Sequence, residues 1–545
     1  MIESHNILIV IPARGGSKGI PRKNLRTLAD RPLIYFTIKT SQSIKNAADV
    51  YVSSEDLEIL SISKKLGVKT IKREKCDSED ITTLDPVVYN ALKHAEEREK
   101  KVYDIVVTLQ PTSPLLKVES LDSALNKIIS KQDIDTVISC VNDTHLTWVK
   151  GEDGYYPNYE KRVNRQELPQ IFKETGGFLI TRSHFITKNN RIGQNVELWT
   201  LSETEAIDID THADWALCEY YLKRKTILFV VSGYQEIGLG HVYNALLVAN
   251  DLVNHEIIFL VDSLSQLAFE KIRSKNYKVY KQECESILQD IINISPDIVI
   301  NDRLDTTSDY IRSLKQRGYK VINFEDLGAG AKKTDLTINA IYPEDEITPN
   351  HYFGYKYFVL RDEFLLTEKK LVVPEVKTVL LSFGGIDPNN YTRKVLSSIY
   401  EYCQNASIEI VVVTGFGYKD EESLKDFGKV KIYRNVQNIS DHMKNADIIL
   451  TSAGRTAYEI ASLGVPAIVL AQNDRELTHL FATAENGFTN LGLGYTVSNE
   501  KILRTFTQMV INFQQRKYMS ELMNRCDLGN GRNRVMKLIK KVIDS

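Results

Sequence analysis

Residues 7–24 read ILIVIPARGGSKGIPRKN. Ile7 to Ile11 is an unbroken run of branched apolar side chains. A run without polar alternation predicts a strand covered on both faces, as in a parallel sheet. It leads directly into a loop that combines Gly15, Gly16 and Gly19 with Arg14, Lys18, Arg22 and Lys23. Glycine permits close backbone approach and unusual dihedrals, and amides freed in such a loop point at phosphate oxygens. Arg14 and Lys18 are placed to neutralise phosphates, and Arg22 and Lys23 to rim the entrance. The spacing is neither GxGxxG nor GxxxxGK[ST], so neither a dinucleotide fold nor a P-loop ATPase is indicated. The stretch predicts an α/β domain that handles a nucleotide.

The same alternation continues outward. Ala48 to Val52, Ile105 to Leu109 and Thr136 to Val141 read as further strands, with amphipathic segments between them, which implies a parallel, doubly wound sheet. ADWALCEYYLKRK reads as a closing helix with a basic end. Thr226 to Val231 starts a new strand at once, so a first domain spans 1–224. Ile257 to Val261, Ile298 to Ile300 and Val321 to Phe324 follow. A second block opens with TVLLSFGG and continues through IEIVVVTGFG, KIYRNV, ADIILTSAG and PAIVLAQ. These are two small α/β lobes, 225–372 and 373–545. Ligands in such lobes lie beyond the carboxyl ends of the strands, and two facing lobes place one in the cleft between them.

At 545 residues the chain is too long for one core. Its net charge of -2 gives no global signal for nucleic-acid binding, so acidic ligands must be held by local clusters. The six cysteines are scattered, with no CxxC pair or zinc spacing, which fits unlinked thiols in a reducing compartment. The apolar run at the N-terminus is too short for a signal peptide. No stretch reaches 18 uncharged apolar residues, which argues against a membrane span. A soluble, cytoplasmic protein is expected.

EAIDID (Glu205 to Asp210) places Asp208 and Asp210 two apart, on one face if the segment is a strand. Paired carboxylates can share a divalent cation that also touches phosphates. With IPARGGSKGIPRKN, LQPTSPL (Leu109 to Leu115), NRQELP (Asn164 to Pro169) and TGGFLI (Thr175 to Ile180), this half resembles the acylneuraminate cytidylyltransferase (CMP-sialic acid synthetase) family over residues 6 to 222. The resemblance implies CTP plus a nonulosonic acid giving a CMP-sugar and pyrophosphate, with Mg2+ on Asp208 and Asp210. It also implies that Arg14 and Lys18, with Gly15, Gly16 and Ser17, hold the triphosphate. Asn24 would contact the nucleotide, and Arg73 and Asp80 would serve the base pocket. Gln110 would face the acceptor sugar, and Gln166 would lie on the segment covering the sugar acid. A homodimer through this domain is implied as well. The chain departs from the family at Glu74-Lys75-Cys76 after Arg73, and at Leu116-Lys117 after PTSPL.

Downstream, GLGH (Gly238 to His241) again follows an apolar strand. His241 at a loop-to-helix junction suits proton transfer. In TSAGRTAYEIASLGVPAIVL (Thr451 to Leu470), Ser452 to Gly454 precede a helix, where amides can meet a diphosphate. Glu459 follows, able to accept hydrogen bonds from ribose hydroxyls. With NFEDLGAG, GYKYFVLRDEF and SFGGIDPNN, this half resembles the UDP-sugar hydrolase of pseudaminic acid synthesis, within the two-lobed GT-B superfamily. The resemblance implies that His241 moves the proton while water attacks C1 of a UDP-linked 2,4-diacetamido-trideoxyhexose. It implies further that Ser452, Gly454, Glu459 and Asn473 bind UDP. The family's arginine at position 244 is Asn244 here, and Asp474 replaces a glutamine. The expected fold is a Rossmann-like nucleotidyltransferase domain fused to a GT-B-like module, and the expected protein a two-step sugar-nucleotide enzyme. Two alternatives stand: a cytidylyltransferase fused to a GT-B glycosyltransferase, or to a noncatalytic nucleotide-sugar-binding module.

Overall fold

The computed structural model describes residues 5–16, 19–73, 83–234, 237–343 and 348–545. Two compact units are present, residues 1–224 and 225–545.

In the first unit a seven-stranded sheet runs in the order Val196–Thr200, Thr136–Asn142, Phe172–Arg182, Ile105–Leu109, Ile7–Pro12, Ala48–Ser54, Lys69–Lys72. The side chains of the opening strand divide by parity. Ile7, Ile9 and Ile11 join one core layer with Ile34, Ile38 and Leu121. Leu8 and Val10 join the opposite layer with Val88, Ala91 and Leu92. This is why the run is apolar at every position: both faces of the sheet are covered. The expectation of a parallel sheet needs one correction, because Phe172–Arg182 runs antiparallel to both of its neighbours. The segment between Thr136–Asn142 and this strand holds the hairpin Trp148–Gly151/Gly154–Pro157 instead of an α-helix. A parallel return normally takes a helical crossover, whereas an antiparallel one does not.

The second unit carries two sheets, both parallel throughout. The first runs Lys278–Lys281, Glu256–Val261, Thr226–Val231, Ile298–Asp302, Lys320–Phe324, Leu336–Asn339, His351–Phe353. The second runs Val430–Arg434, Glu409–Thr414, Thr378–Ser382, Ile448–Thr451, Ala467–Ala471, Phe488–Leu493. This is the GT-B-like arrangement of two α/β lobes. The last helix, Gly531–Ile543, crosses back in space: Val535, Met536 and Ile539 lie in the core of the first lobe with Ile227 and Phe229.

In each of the three large sheets the opening strand sits between neighbours reached in opposite directions. Ile7–Pro12 lies between Ala48–Ser54 and Ile105–Leu109, Thr226–Val231 between Glu256–Val261 and Ile298–Asp302, and Thr378–Ser382 between Glu409–Thr414 and Ile448–Thr451. Such reversals open a crevice at the carboxyl end of the strand. All three crevices receive a glycine-containing loop noted in the sequence. Among the described residues no helix is long and apolar enough to cross a membrane, and Cys140, Cys218, Cys284, Cys403 and Cys526 are unlinked.

Candidate functional sites

In the first unit the cationic loop is built on a scaffold of carboxylates. The Gly15 amide donates to Glu55 Oε1 at 2.7 Å, and a Cβ at Gly15 would fall 2.5 Å from Asp56 Oδ2. Arg73 Nε and Nη2 donate to Glu55 Oε2 at 3.3 and 3.1 Å, and Nη2 also reaches the Ala13 carbonyl at 3.1 Å. Burial works against ionisation of Glu55, yet the Gly15 amide and the Arg73 guanidinium hold its carboxyl below the usual range. Arg73 therefore braces the loop from below. Asn24 Nδ2 donates to the Arg14 carbonyl at 2.9 Å, while its buried Oδ1 has no partner among the described residues. Gly16 has open space where a side chain would stand. Ser17, Lys18 and Asp80 lie outside the described residues.

The loop also meets the carboxylate segment. A side chain at Gly19 would collide with the Asp210 carbonyl oxygen. Lys23, expected at the entrance, is buried instead: its Nζ donates to the Ile209 carbonyl and lies 3.3 Å from Asp210 Oδ1. Arg22 is likewise engaged, 2.6 Å from Glu58 and 3.5 Å from Asp56. Asp208 and Asp210 stand in a loop before the helix His212–Lys223, not in a strand, and they differ in setting. The Asp210 side chain is 77% exposed. Among the described residues Asp208 Oδ1 is buried without a hydrogen-bond partner within 3.5 Å, as are Thr112 Oγ1 and Ser113 Oγ. The bare face of Gly176 lies against Ser113 Oγ and Asp208 Oδ1, at 2.9 and 3.0 Å from where a Cβ would be. Burial pushes the Asp208 carboxyl up; the neighbouring Thr112 hydroxyl works against this, and the Asp210 carboxylate adds to it. A buried carboxylate oxygen with no donor is what a hard cation would satisfy, so the pair fits Mg2+. Among the described residues no group of three or more His, Cys, Asp or Glu gathers into a metal cluster, so phosphate and water oxygens would complete the shell. Gln110 closes the strand Ile105–Leu109, its carbonyl accepting from Thr37 Oγ1 and the Ser113 amide, each at 3.3 Å. Gln166 is exposed on the turn Arg165–Glu167. Glu55 went unnoticed in the sequence because nothing local marks a carboxylate at a strand end as a loop brace.

In the second unit a cleft of about 340 Å3 is lined by residues of both lobes. His241 is the second residue of the helix Gly240–Asn250, and its Nδ1 lies 2.7 Å from Asp302 Oδ1. Asp302 is fully buried at the end of Ile298–Asp302, and its Oδ2 accepts from Asn244 Nδ2 at 2.6 Å. An aspartate that can only accept places a proton on His241 Nδ1 and leaves Nε2 as the ring nitrogen open to proton exchange. Asp302 carries no motif; only the sheet brings it beneath residue 241. Glu325, from NFEDLGAG, is a second unforeseen group. It is buried in the cleft wall, accepts from the Ala340 and Ile341 amides at 3.2 and 3.3 Å, and burial pushes its carboxyl up to about 8.

The expected nucleotide-binding residues line the same cleft, several with partners of their own. Glu459 Oε1 accepts from Arg361 Nε at 2.8 Å, and Arg361 also meets Glu363 at 2.7 Å. Beside Ser452 and Gly454, the Ala453 amide donates to Glu476 Oε2 at 3.1 Å, and the Gln472 amide does so at 2.8 Å. Burial raises the Glu476 carboxyl to about 7. Asn473 caps the short helix Asp474–Leu477, its Oδ1 accepting from the Glu476 amide at 3.0 Å. His479 Nδ1 lies 3.1 Å from the Ala453 carbonyl, and burial lowers this imidazole to about 4, so it stands neutral.

Residues 8–219 match the Cytidylyltransferase family, and residues 379–526 match the Glycosyltransferase family 28 C-terminal domain. The chain is 38% identical over 220 residues to the pseudaminic acid cytidylyltransferase of Campylobacter jejuni, covering 38% of this chain and 92% of that protein. It is 21% identical over 528 residues to the pseudaminic acid cytidylyltransferase and UDP-2,4-diacetamido-2,4,6-trideoxy-beta-L-altropyranose hydrolase of Helicobacter pylori, covering 93% of this chain and 95% of that protein. An uncharacterized protein of Methanocaldococcus jannaschii is 35% identical over 271 residues, 46% of this chain; the match spans only 56% of that protein's length.

Proposed function

Because the chain belongs to the cytidylyltransferase family through residues 8–219, we propose that its first unit joins CTP to a nonulosonic acid of the pseudaminic or sialic type. The anomeric hydroxyl oxygen attacks the α-phosphorus, the bond to the β-phosphate breaks, pyrophosphate leaves with the electron pair, and the hydroxyl proton passes to solvent. Arg14, Lys18 and the glycine-loop amides hold the triphosphate and meet charge that grows on the phosphoryl oxygens. Asp208 and Asp210 would hold Mg2+, which when bound supplies charge neutralisation at the phosphates. The observation that carries this reading is the packing of the loop on the carboxylate segment, at Gly19 against Asp210 and Lys23 between Ile209 and Asp210, beside the unpartnered Asp208 Oδ1. Purified protein given CTP, Mg2+ and a panel of nonulosonic acids should yield a CMP-sugar by mass spectrometry. No product with any acid defeats the reading. A homodimer is proposed on the exposed Trp148, Val149, Tyr155 and Tyr156 of the hairpin, and a monomeric hydrodynamic mass would exclude it. A cytoplasmic setting suits nucleotide substrates and unlinked thiols.

For the second unit the proposal is a nucleotide-sugar module in which His241 Nε2 takes the proton of the nucleophile that attacks the anomeric carbon of a UDP-sugar, with UDP departing. The Ser452–Gly454 turn, Glu459 and Asn473 serve the UDP side of the cleft. The glycosyltransferase match over residues 379–526 favours a sugar hydroxyl as nucleophile. The Helicobacter pylori protein favours water, since the likeness runs through 93% of this chain. UDP release that requires an added acceptor selects transfer, and release in buffer alone selects hydrolysis. UDP binding without turnover, unaltered in His241→Ala, would reduce the module to a binding domain.

A further inference from the structure

Asn244 links two groups from opposite sides of the cleft. Its Nδ2 donates to Asp302 Oδ2 at 2.6 Å, and its Oδ1 accepts from Arg455 Nη2 at 3.1 Å. Asp302 in turn holds His241 Nδ1 at 2.7 Å. The path from Arg455 to the imidazole is continuous, and Asn244 and Asp302 are 2% and 0% exposed, so water does not substitute for either.

An amide has two unlike ends. Reversed, Asn244 would turn its carbonyl oxygen toward the Asp302 carboxylate and its NH2 toward the Arg455 guanidinium, and both contacts would repel. With Arg455 in place only one orientation is stable, and in it the second oxygen of Asp302 is satisfied. The first oxygen is then left for Nδ1–H of His241. Arg455 is itself fixed: Nη2 donates to the Val359 carbonyl at 3.4 Å, and the guanidinium lies 4.4 Å over the Phe358 ring, which stacks on Tyr458 at 4.1 Å. Gly240 lets the helix start come this close, since a Cβ there would sit 3.3 Å from Arg455 Cδ. Arg455 belongs to the second lobe and directly follows the Ser452–Gly454 turn, whereas Asn244, Asp302 and His241 belong to the first.

We infer that Arg455 is a positioning residue for His241: through Asn244 and Asp302 it holds the imidazole in the Nδ1-protonated tautomer, so the base is set only while the two lobes are engaged. The inference rests on the nucleotide-sugar reading of this cleft for its use, but not for its test. Full-length protein labelled with 15N-histidine, with His241 assigned among the ten histidines by its loss in His241→Gln, reports the tautomer from the two ring-nitrogen shifts. The native protein should show one protonated nitrogen, Nδ1, and one unprotonated, Nε2. In Arg455→Met, Asn244 loses the partner of its Oδ1, and Asp302 loses its fixed donor and becomes free to turn away from the ring. The two shifts should then move toward each other as tautomers interconvert; Arg455→Lys, which keeps a cation, should restore much of the separation. Arg455→Gln replaces Arg455→Met should the latter not fold. Unchanged His241 shifts in whichever uncharged variant folds overturn the inference. Calorimetric titration of the native protein with UDP is the separate arm: absence of UDP binding removes the nucleotide reading and leaves the tautomer result standing.

Discussion

Glu325 holds a left-handed backbone, φ 50°, inside the cleft wall. Strained residues of this kind gather at working sites. Its folded pKa of about 8 lies above the ordinary 4.5, so the folded state binds the proton more tightly. The stability this contributes is full below pH 4.5 and is lost as pH rises toward about 8. Glu476, raised to about 7, acts in the same sense, whereas His479, lowered from 6.5 to about 4, makes stability rise between those two values. Above pH 7 the decline therefore belongs mainly to Glu325. Glu325→Gln should make the loss of second-unit stability between pH 6.5 and 8 shallower, by on the order of 1–2 kcal/mol, in urea unfolding at both pH values. An unchanged slope would show that Glu325 does not titrate there. For the dyad, Asp302→Asn should reduce turnover of a UDP-sugar by roughly 100- to 10,000-fold through loss of the fixed tautomer, with CMP transfer in the same preparation unaffected. In the first unit, Asp208→Asn should lower CMP transfer about 100-fold or more while calorimetric UDP binding in the second unit stays the same. Equal loss of both would contradict separate sites.

At the scale of elements, each candidate site is a strand, a glycine-bearing loop and a following helix or turn, placed where the sheet order reverses. The loop after Ile7–Pro12 depends on a close approach rather than on backbone freedom alone. Gly19→Ala would drive a methyl into the Asp210 carbonyl and separate the loop from the carboxylates. CMP transfer should fall roughly 100-fold, measured as pyrophosphate release, with UDP binding retained. Activity near the native level would show that the loop and Asp210 need not touch. The parity of Ile7 to Ile11, and the unbroken apolar strands of both lobes, were legible because a sheet covered on both faces demands them. The antiparallel Phe172–Arg182 was not, because TGGFLI lacks that unbroken run and its direction depends on the path of the chain before it.

At the scale of the molecule, the second unit is not two consecutive blocks. The helix Gly531–Ile543 closes the core of the first lobe with Val535, Met536 and Ile539. Each such side chain contributes about 1.5–3 kcal/mol when buried. Truncation after Leu528 should thus remove roughly 5 kcal/mol or more and leave the second unit melting far below the native protein in calorimetry. The first unit's transition should stay in place, since residues 1–224 form their own compact unit. A second-unit transition unmoved by the truncation would mean that the helix is dispensable.

The order of residues alone established the α/β class, the glycine loops, the restart at Thr226, the cytidylyltransferase resemblance of the first half and the GT-B-like resemblance of the second, because periodicity and turn chemistry are local properties of a chain. Folding decided the partnerships. Glu55 beneath the loop, Lys23 inside rather than at the rim, the unequal settings of Asp208 and Asp210, and Asp302 and Arg455 reaching His241 from distant segments all depend on contacts across the chain. Hydrogen bonds and burial act through space, and no local pattern specifies which distant side chain will supply them.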